Sequence, residues 1–114
     1  MIALTSSDCY RRGQELAEAG KYQEGLDWVH KHLEASPDDA QALNDAGVIL
    51  YCLGRTEEAV AYLTRAWDLG GRSGEIAWNL AEACLACGKP DAAAAMAARS
   101  VPTPLSAELV TTQV

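Results

Sequence analysis

At 114 residues, 49% of them hydrophobic, the chain is one domain's worth and long enough to bury a core without disulfide or metal staples. Nine basic against sixteen acidic residues give a formal charge of −7, and only Arg11 and Arg12 are adjacent. That balance argues against a nucleic-acid partner, because a phosphate backbone needs clustered Lys and Arg.

The first residues, MIALTSSDCY, show no cationic segment followed by an apolar run, and no later apolar run approaches the roughly 18 residues of a membrane span. The reading is a soluble cytoplasmic protein with no membrane partner. Its four cysteines, Cys9, Cys52, Cys84 and Cys87, are accordingly expected to be reduced.

The first helix is predicted from Ser6 to about Ala19, with Thr5 and Asp8 placed as a capping box. Gly20-Lys21 interrupts it. A second helix should run from about Tyr22 to Ala35, because Tyr22, Leu26, Val29 and Leu33 fall at the three- and four-residue spacings of one apolar face. Ser36-Pro37 stops it. Asp38 or Asp39 can cap a third helix, Ala40 to Leu53, with Leu43, Ala46, Gly47, Leu50 and Tyr51 as its apolar stripe.

Gly54-Arg55 makes a tight turn, and Thr56 is expected to cap the fourth helix. Glu57 and Glu58 then stand in its first turn, where negative charge complements the helix dipole. Its apolar residues are Ala59, Val60, Tyr62, Leu63, Ala66 and Trp67, and Gly70-Gly71 ends it. A fifth helix over 74–87 carries Ile76, Ala77, Leu80, Ala81, Cys84 and Leu85. Gly88-Lys89 repeats the turn, and Pro90 takes the first position of a sixth helix, DAAAAMAARS, which offers mostly methyl groups for packing. Val101-Pro102-Thr103-Pro104 breaks it. Residues 102–114 are expected to be an irregular tail, with a short helix after Ser106 as the alternative.

Three landmarks recur 34 residues apart: Gly20, Gly54 and Gly88; Gly13, Gly47 and Ala81; Gly25, Ala59 and Ala93. A fixed period of this size marks a repeat architecture. The units fall at about 6–39, 40–73 and 74–101, each a helix-turn-helix pair whose apolar face only a neighbouring pair can cover.

This unit resembles the tetratricopeptide repeat over about residues 6–101. The family places small residues where the two helices of a pair cross, as Gly13 with Gly25, Gly47 with Ala59 and Ala81 with Ala93 would here, and it ends its repeats with a proline, as at Pro37. Arg12 departs from the family's usual leucine and His32 from its usual small residue. Gly71 replaces the ending proline of the middle copy, and Trp78 stands one residue after the family's aromatic. The third copy ends early, with no seventh helix evident.

The resemblance implies an all-α solenoid of three helix pairs, wound as a right-handed superhelix, with the first helices lining a concave groove for a peptide. The groove should present Tyr10, Gln14 and Glu18, then Asn44, Asp45, Val48, Tyr51 and Cys52, then Glu75, Trp78, Asn79, Glu82 and Leu85. Trp78 could alternatively pack between neighbouring helices. Some members clamp an acidic C-terminus with Lys, Arg and Asn; the corresponding places here hold Tyr10, Gln14, Asp45, Glu75 and Asn79, so the clamp is absent. Asp45, Glu75 and Glu82 would repel an acidic tail, and the expected partner is an apolar or basic peptide.

Cys84-Leu85-Ala86-Cys87 matches C-x-x-C, but it lies near a helix C-terminus, where the dipole opposes a thiolate, and no second pair completes a zinc site. Packing is the expected role of Cys84. His30 and His32 diverge by about 200° on a helix, which is poor chelation geometry. No phosphate loop or catalytic signature is present. The reading is a non-enzymatic interaction module with no cofactor and no metal. Its rivals are a small chaperone for a secretion substrate, the docking region of a larger enzyme such as a glycosyltransferase, and a self-assembling scaffold. In the last, open ends would stack, with Ala94 and Met96 at the contact; the bare side of the sixth helix is expected to be covered by the tail folding back, by a second chain pairing as a homodimer through the 90–101 helix, or by the continuation of a longer protein.

Overall fold

The structure, a computed structural model, describes residues 5–100. The expected tail over 102–114, including the alternative helix after Ser106, lies outside the described residues. Six helices follow one another: α1 (Ser6–Glu18), α2 (Tyr22–Ala35), α3 (Ala40–Cys52), α4 (Thr56–Asp68), α5 (Gly74–Ala86) and α6 (Pro90–Ser100). There is no strand among the described residues. The fold is an all-α helical-repeat solenoid.

The turns explain the period. Gly20, Gly54 and Gly88, with φ of 81°, 79° and 75°, sit just past α1, α3 and α5 in the left-handed region that glycine enters without a Cβ penalty. At each, two amides return to orphan carbonyls of the preceding helix; after α3 these are Gly54 N–H to Tyr51 at 3.0 Å and Arg55 N–H to Leu50 at 2.9 Å. Gly70 (φ 99°) does the same after α4.

The helix starts follow the sequence with one correction. Thr5 and Asp8 form the capping box of α1, while Asp39 and Ser73 cap α3 and α5 through the amides of Ala42 and Ile76. Thr56, by contrast, is the first residue of α4 and not its cap. The turn delivers the chain into the helix one residue early, at Arg55, whose side chain grips Glu58 with two bonds of 2.8 Å and offers nothing to the amides.

Small residues set the packing within each pair. A Cβ on Gly13 would lie 2.8 Å from the Gly25 carbonyl oxygen, and one on Gly47 would lie 2.6 Å from Leu63 Cγ. Close approach lets Leu26, Val29, Leu50, Leu63 and Ile76 become fully buried in one continuous core. Gly71, standing where the family has proline, meets the same demand between pairs. A Cβ there would lie 2.8 Å from both the Ala66 oxygen and Ile76 Cδ1.

Two residues leave the stripes assigned to them. Tyr51 is 38% exposed and Leu85 is 63% exposed. They hold equivalent places, one residue beyond Leu50 and Cys84, and that step of about 100° turns both away from the second helix of their pair. α6 adds little to the interior; Ala93 is its only buried residue.

Between pairs, α3 packs on α2 and α5 packs on α4. The first helices also approach each other backbone to backbone, α1 with α3 and α3 with α5, whereas α2 and α4 stand further apart and meet through the His30 and Tyr62 side chains. The stack therefore curves with α1, α3 and α5 on its inner side, and the groove expected from the sequence is the face they share.

Candidate functional site: the concave face of the first helices

Asp45 on α3 is the centre of this face. Its carboxylate accepts bonds from the Tyr10 hydroxyl, from Gln14 Nε2 at 3.1 Å and from Gln41 Nε2 at 3.2 Å, with Asn44 Nδ2 at 3.4 Å. Tyr10 and Gln14 come from α1, so these bonds tie the first repeat to the second. The next junction has the same design. Asn44 donates to Glu75 Oε1 at 3.1 Å and accepts from Asn79 Nδ2 at 3.0 Å, both on α5.

That second junction corrects one expected groove residue. Asn44 is completely buried, with 0% exposure, so its side chain lies beneath the groove and joins α3 to α5 instead of facing a ligand. Tyr10 is also half-buried, stacked on His32 with ring centroids 5.0 Å apart. The places of Tyr10 and Asn44 in their repeats are the place of Trp78 in the third, yet Trp78 is 52% exposed. The difference is the covering helix: α3 lies over Tyr10 and α5 over Asn44, and no described helix follows α6.

Two spaces open on this face. A cavity of about 340 Å³ has Ala17, Val48 and Ile49 as its apolar lining and Gln14, Glu18, Asp45, Glu75 and Asn79 as its polar lining. Beside it, Val48, Tyr51, Asn79 and Glu82 surround a space of about 30 Å³. At the open end of the stack a third space, of about 400 Å³, is lined by Trp78, Ala81, Glu82, Leu85 and α6. Gln14, Asp45, Val48, Tyr51, Asn79 and Glu82 line these adjoining spaces together with Glu18 and Glu75, and Trp78 and Leu85 stand at one end. The sequence reading missed Ala17, Ile49 and Gln41. The i, i+4 spacing of Gln41 to Asp45 was the available signal, whereas Ala17 and Ile49 look like ordinary core residues.

The electrostatics are one-sided. The ion pairs made by Lys and Arg among the described residues are Arg11–Asp8, Arg55–Glu58 and Arg65–Asp38, His32 meets Asp39, and none of these contacts involves Glu18, Asp45, Glu75 or Glu82. Burial raises the Asp45 carboxyl above its ordinary range and the neighbouring charge of Glu75 adds to this, against the opposing pull of its hydrogen bonds. Burial and the Asp45 carboxylate likewise push the Tyr10 hydroxyl up.

The other candidate groups have structural places. His32 is buried between the Ser6 carbonyl, 2.9 Å from Nδ1, and the Asp39 carboxylate, 2.7 Å from Nε2. His30 Nε2 shares a bond of 3.0 Å with the Tyr62 hydroxyl. Cys84 is buried, and burial raises its thiol. Among the described residues no group of three His, Cys, Asp or Glu side chains is arranged to hold a metal ion, and no helix is long and apolar enough to cross a membrane.

Comparison with known proteins agrees with this architecture. One tetratricopeptide repeat family model matches residues 10–71 and a second matches residues 53–103. The photosystem I assembly protein Ycf3 of Acaryochloris marina (strain MBIC 11017) is 39% identical over 57 residues, 50% of this chain and 34% of that protein, so the match spans about a third of the relative's length. Among solved structures, MamA AMB-1 superposes with a TM-score of 0.77 at 22% identity, over 84% of this chain and 52% of that one. The second TPR of Spaghetti (RPAP3), bound to the HSP90 peptide SRMEEVD, superposes with a TM-score of 0.80 at 19% identity, over 83% of this chain and 88% of that one. With a family model spanning more than half of its length, the chain belongs to the tetratricopeptide repeat family.

Proposed function

We propose that the concave face of α1, α3 and α5 receives a segment of a partner protein, so that the module serves as an adaptor or assembly scaffold. One observation carries this reading. Of the four exposed large hydrophobic residues among the described residues, Tyr51, Leu69, Trp78 and Leu85, Tyr51 opens onto this groove and Trp78 and Leu85 continue from it at the open end of the stack, each beside an open space. Exposed apolar side chains gathered on one concave surface are characteristic of contact sites, and aromatic ones dominate binding energies. The repeats 6–39, 40–73 and 74–101 act as one stiff support, and the bound segment bears most of the ordering cost.

In this reading Gln14, Asp45, Val48, Tyr51, Trp78, Asn79 and Glu82 meet the partner, while Tyr10 and Asn44 hold the helices in register beneath it. The role is read as binding rather than catalysis, since Asp45, Gln14 and Asn79 are engaged in bonds that join the repeats and no nucleophile or general-base pair stands among the lining residues. The name of Ycf3 as an assembly protein and the peptide bound to Spaghetti support a partner that is a protein or peptide. The acidic lining favours a segment that is apolar or basic over an acidic C-terminus.

The test is affinity capture with the wild-type chain beside Val48→Glu and Trp78→Ala, followed by cross-linking to map the contact. Both positions are at least partly exposed, so both variants should keep the wild-type helical circular dichroism. A partner lost in both and cross-linked to α3 or α5 is the expected result. A partner retained by both, or cross-linked to the second helices, would overturn the reading.

A further inference from the structure

We propose that the cavity between α1, α3 and α5 takes one cationic side chain, a Lys or an Arg of the bound segment, with Glu75, Asp45 and Glu18 as its counter-charges. This deepens the reading of the concave face as a peptide groove and rests on it.

The three carboxylates differ in how each is occupied. Asp45 is surrounded by Tyr10, Gln14, Gln41 and Asn44, all of them neutral donors. Such bonds fix the carboxylate and leave its charge in place. Glu75 bonds Asn44 through Oε1, and no hydrogen bond to its Oε2 is formed among the described residues. Glu18 stands exposed on α1. No Lys or Arg lines the cavity.

Three carboxylates without a cation, set around a partly enclosed space, focus a negative field there. Like charges repel within it, and the charge of Glu75 adds to burial in raising the Asp45 carboxyl. A positive group entering the cavity relieves that repulsion, and a negative one adds to it.

The shape of the lining narrows the chemistry further. Ala17, Val48 and Ile49 give the cavity an apolar wall beside its acidic groups. A bare metal cation or a small ammonium ion would leave that wall facing water. Lys and Arg are amphipathic, with a methylene stem that lies along apolar surface and a charged head that reaches a polar rim. Both parts of such a side chain match parts of the lining. The flanking residues of the segment would then extend past Val48 and Tyr51 toward Trp78 and Leu85, which is the apolar end of the same face.

The probe is a set of short fluorescent peptide pools of mixed apolar sequence, each with its central position fixed as Lys, Arg, norleucine or Glu, titrated against the full chain by anisotropy. The Lys and Arg pools should bind about tenfold more tightly than the norleucine pool, with the Glu pool weakest, in keeping with a charge-assisted contact. Added salt and Glu75→Gln should each shrink the Lys-to-norleucine ratio toward one. Glu75 is exposed and glutamine can still accept from Asn44, so this variant keeps the fold-bearing bond.

Equal binding of the Lys and norleucine pools, each lost in Val48→Glu, would overturn the cation site and leave the groove reading standing. An undiminished ratio in Glu75→Gln would also overturn it. Binding of no pool, or binding indifferent to Val48→Glu, would remove the groove reading itself.

Discussion

A carboxylate held only by neutral donors is fixed without being neutralised, and Asp45 is in that state, with burial raising it above the ordinary carboxyl value of 3.8. Asp39 shows the opposite outcome. Burial raises it too, but bonds from His32 and from the amides of Ala42 and Gln41 outweigh burial and hold it below 3.8. The signs of their contributions to stability therefore differ. An acid whose folded value is raised detracts from stability when ionised, and the penalty fades as pH falls into the carboxylate range. One whose folded value is lowered contributes stability above 3.8, which is lost as pH falls through the lower folded value. Asp45→Asn exchanges one acceptor oxygen for an NH2 group, which sets its baseline, but it should lose ground to wild type as pH falls through the carboxylate range, because only the wild type sheds the penalty. Asp39→Ala, which also removes the α3 cap, should cost about 1 kcal/mol near neutral pH, and that loss should disappear in strong acid. Thermal melts across the acid range check both, and an Asp45→Asn variant that gains on wild type as pH falls would contradict the assignment.

At the scale of the elements, the glycines separate two demands that look alike in a sequence. Gly54 is at φ 79°, and an added Cβ would meet nothing within 4 Å, so Gly54→Ala carries only a backbone cost, of about 1–2 kcal/mol. Gly13 is inside α1, where alanine is the better helix former. Its Cβ, however, would lie 2.6 Å from Val29 Cγ2 and 2.8 Å from the Gly25 oxygen. The backbone of α2 cannot yield as a side chain could, so Gly13→Ala should destabilise by about 1–3 kcal/mol through forced separation of the pair. Denaturant titration reads both, and a stabilising Gly13→Ala would mean that α1 and α2 do not cross this closely. These positions were legible in the sequence because the same backbone demand recurs in several copies. The burial of Asn44 was not, because the cover comes from Glu75 and Asn79, more than thirty residues away, and a polar residue on a first helix reads as surface. The cap of α4 failed for a local reason: Thr56 has the right chemistry and stands one residue too late.

Across the whole molecule the two ends of the stack differ in kind, and the difference sets what two chains can do to each other. Repeat positions that hold buried Ala42, Ala46 and Ile49 in α3, and buried Ile76, Leu80 and Ala83 in α5, hold Asp8, Arg12 and Glu15 in α1. The departure at Arg12 is thereby explained, because it belongs to a charged face that closes the N-terminal end of the solenoid against further stacking. The other end, among the described residues, leaves Trp78 and Leu85 open with Ala94 and Ala97 beside them. Head-to-tail contact would bury the α1 charges against that apolar face without partners, which is strongly unfavourable. Symmetric contact between two apolar ends has no such penalty, and it closes at two copies. Ala94 lies on this end, whereas Met96 packs against the core, so a charge at Met96 would test folding rather than association. Sedimentation over a wide concentration range should accordingly detect no species larger than a dimer. Any dimer should be lost in Leu85→Glu and kept in Arg12→Glu. Open-ended growth, or association weakened by the change at Arg12, would show that the charged face is a contact after all.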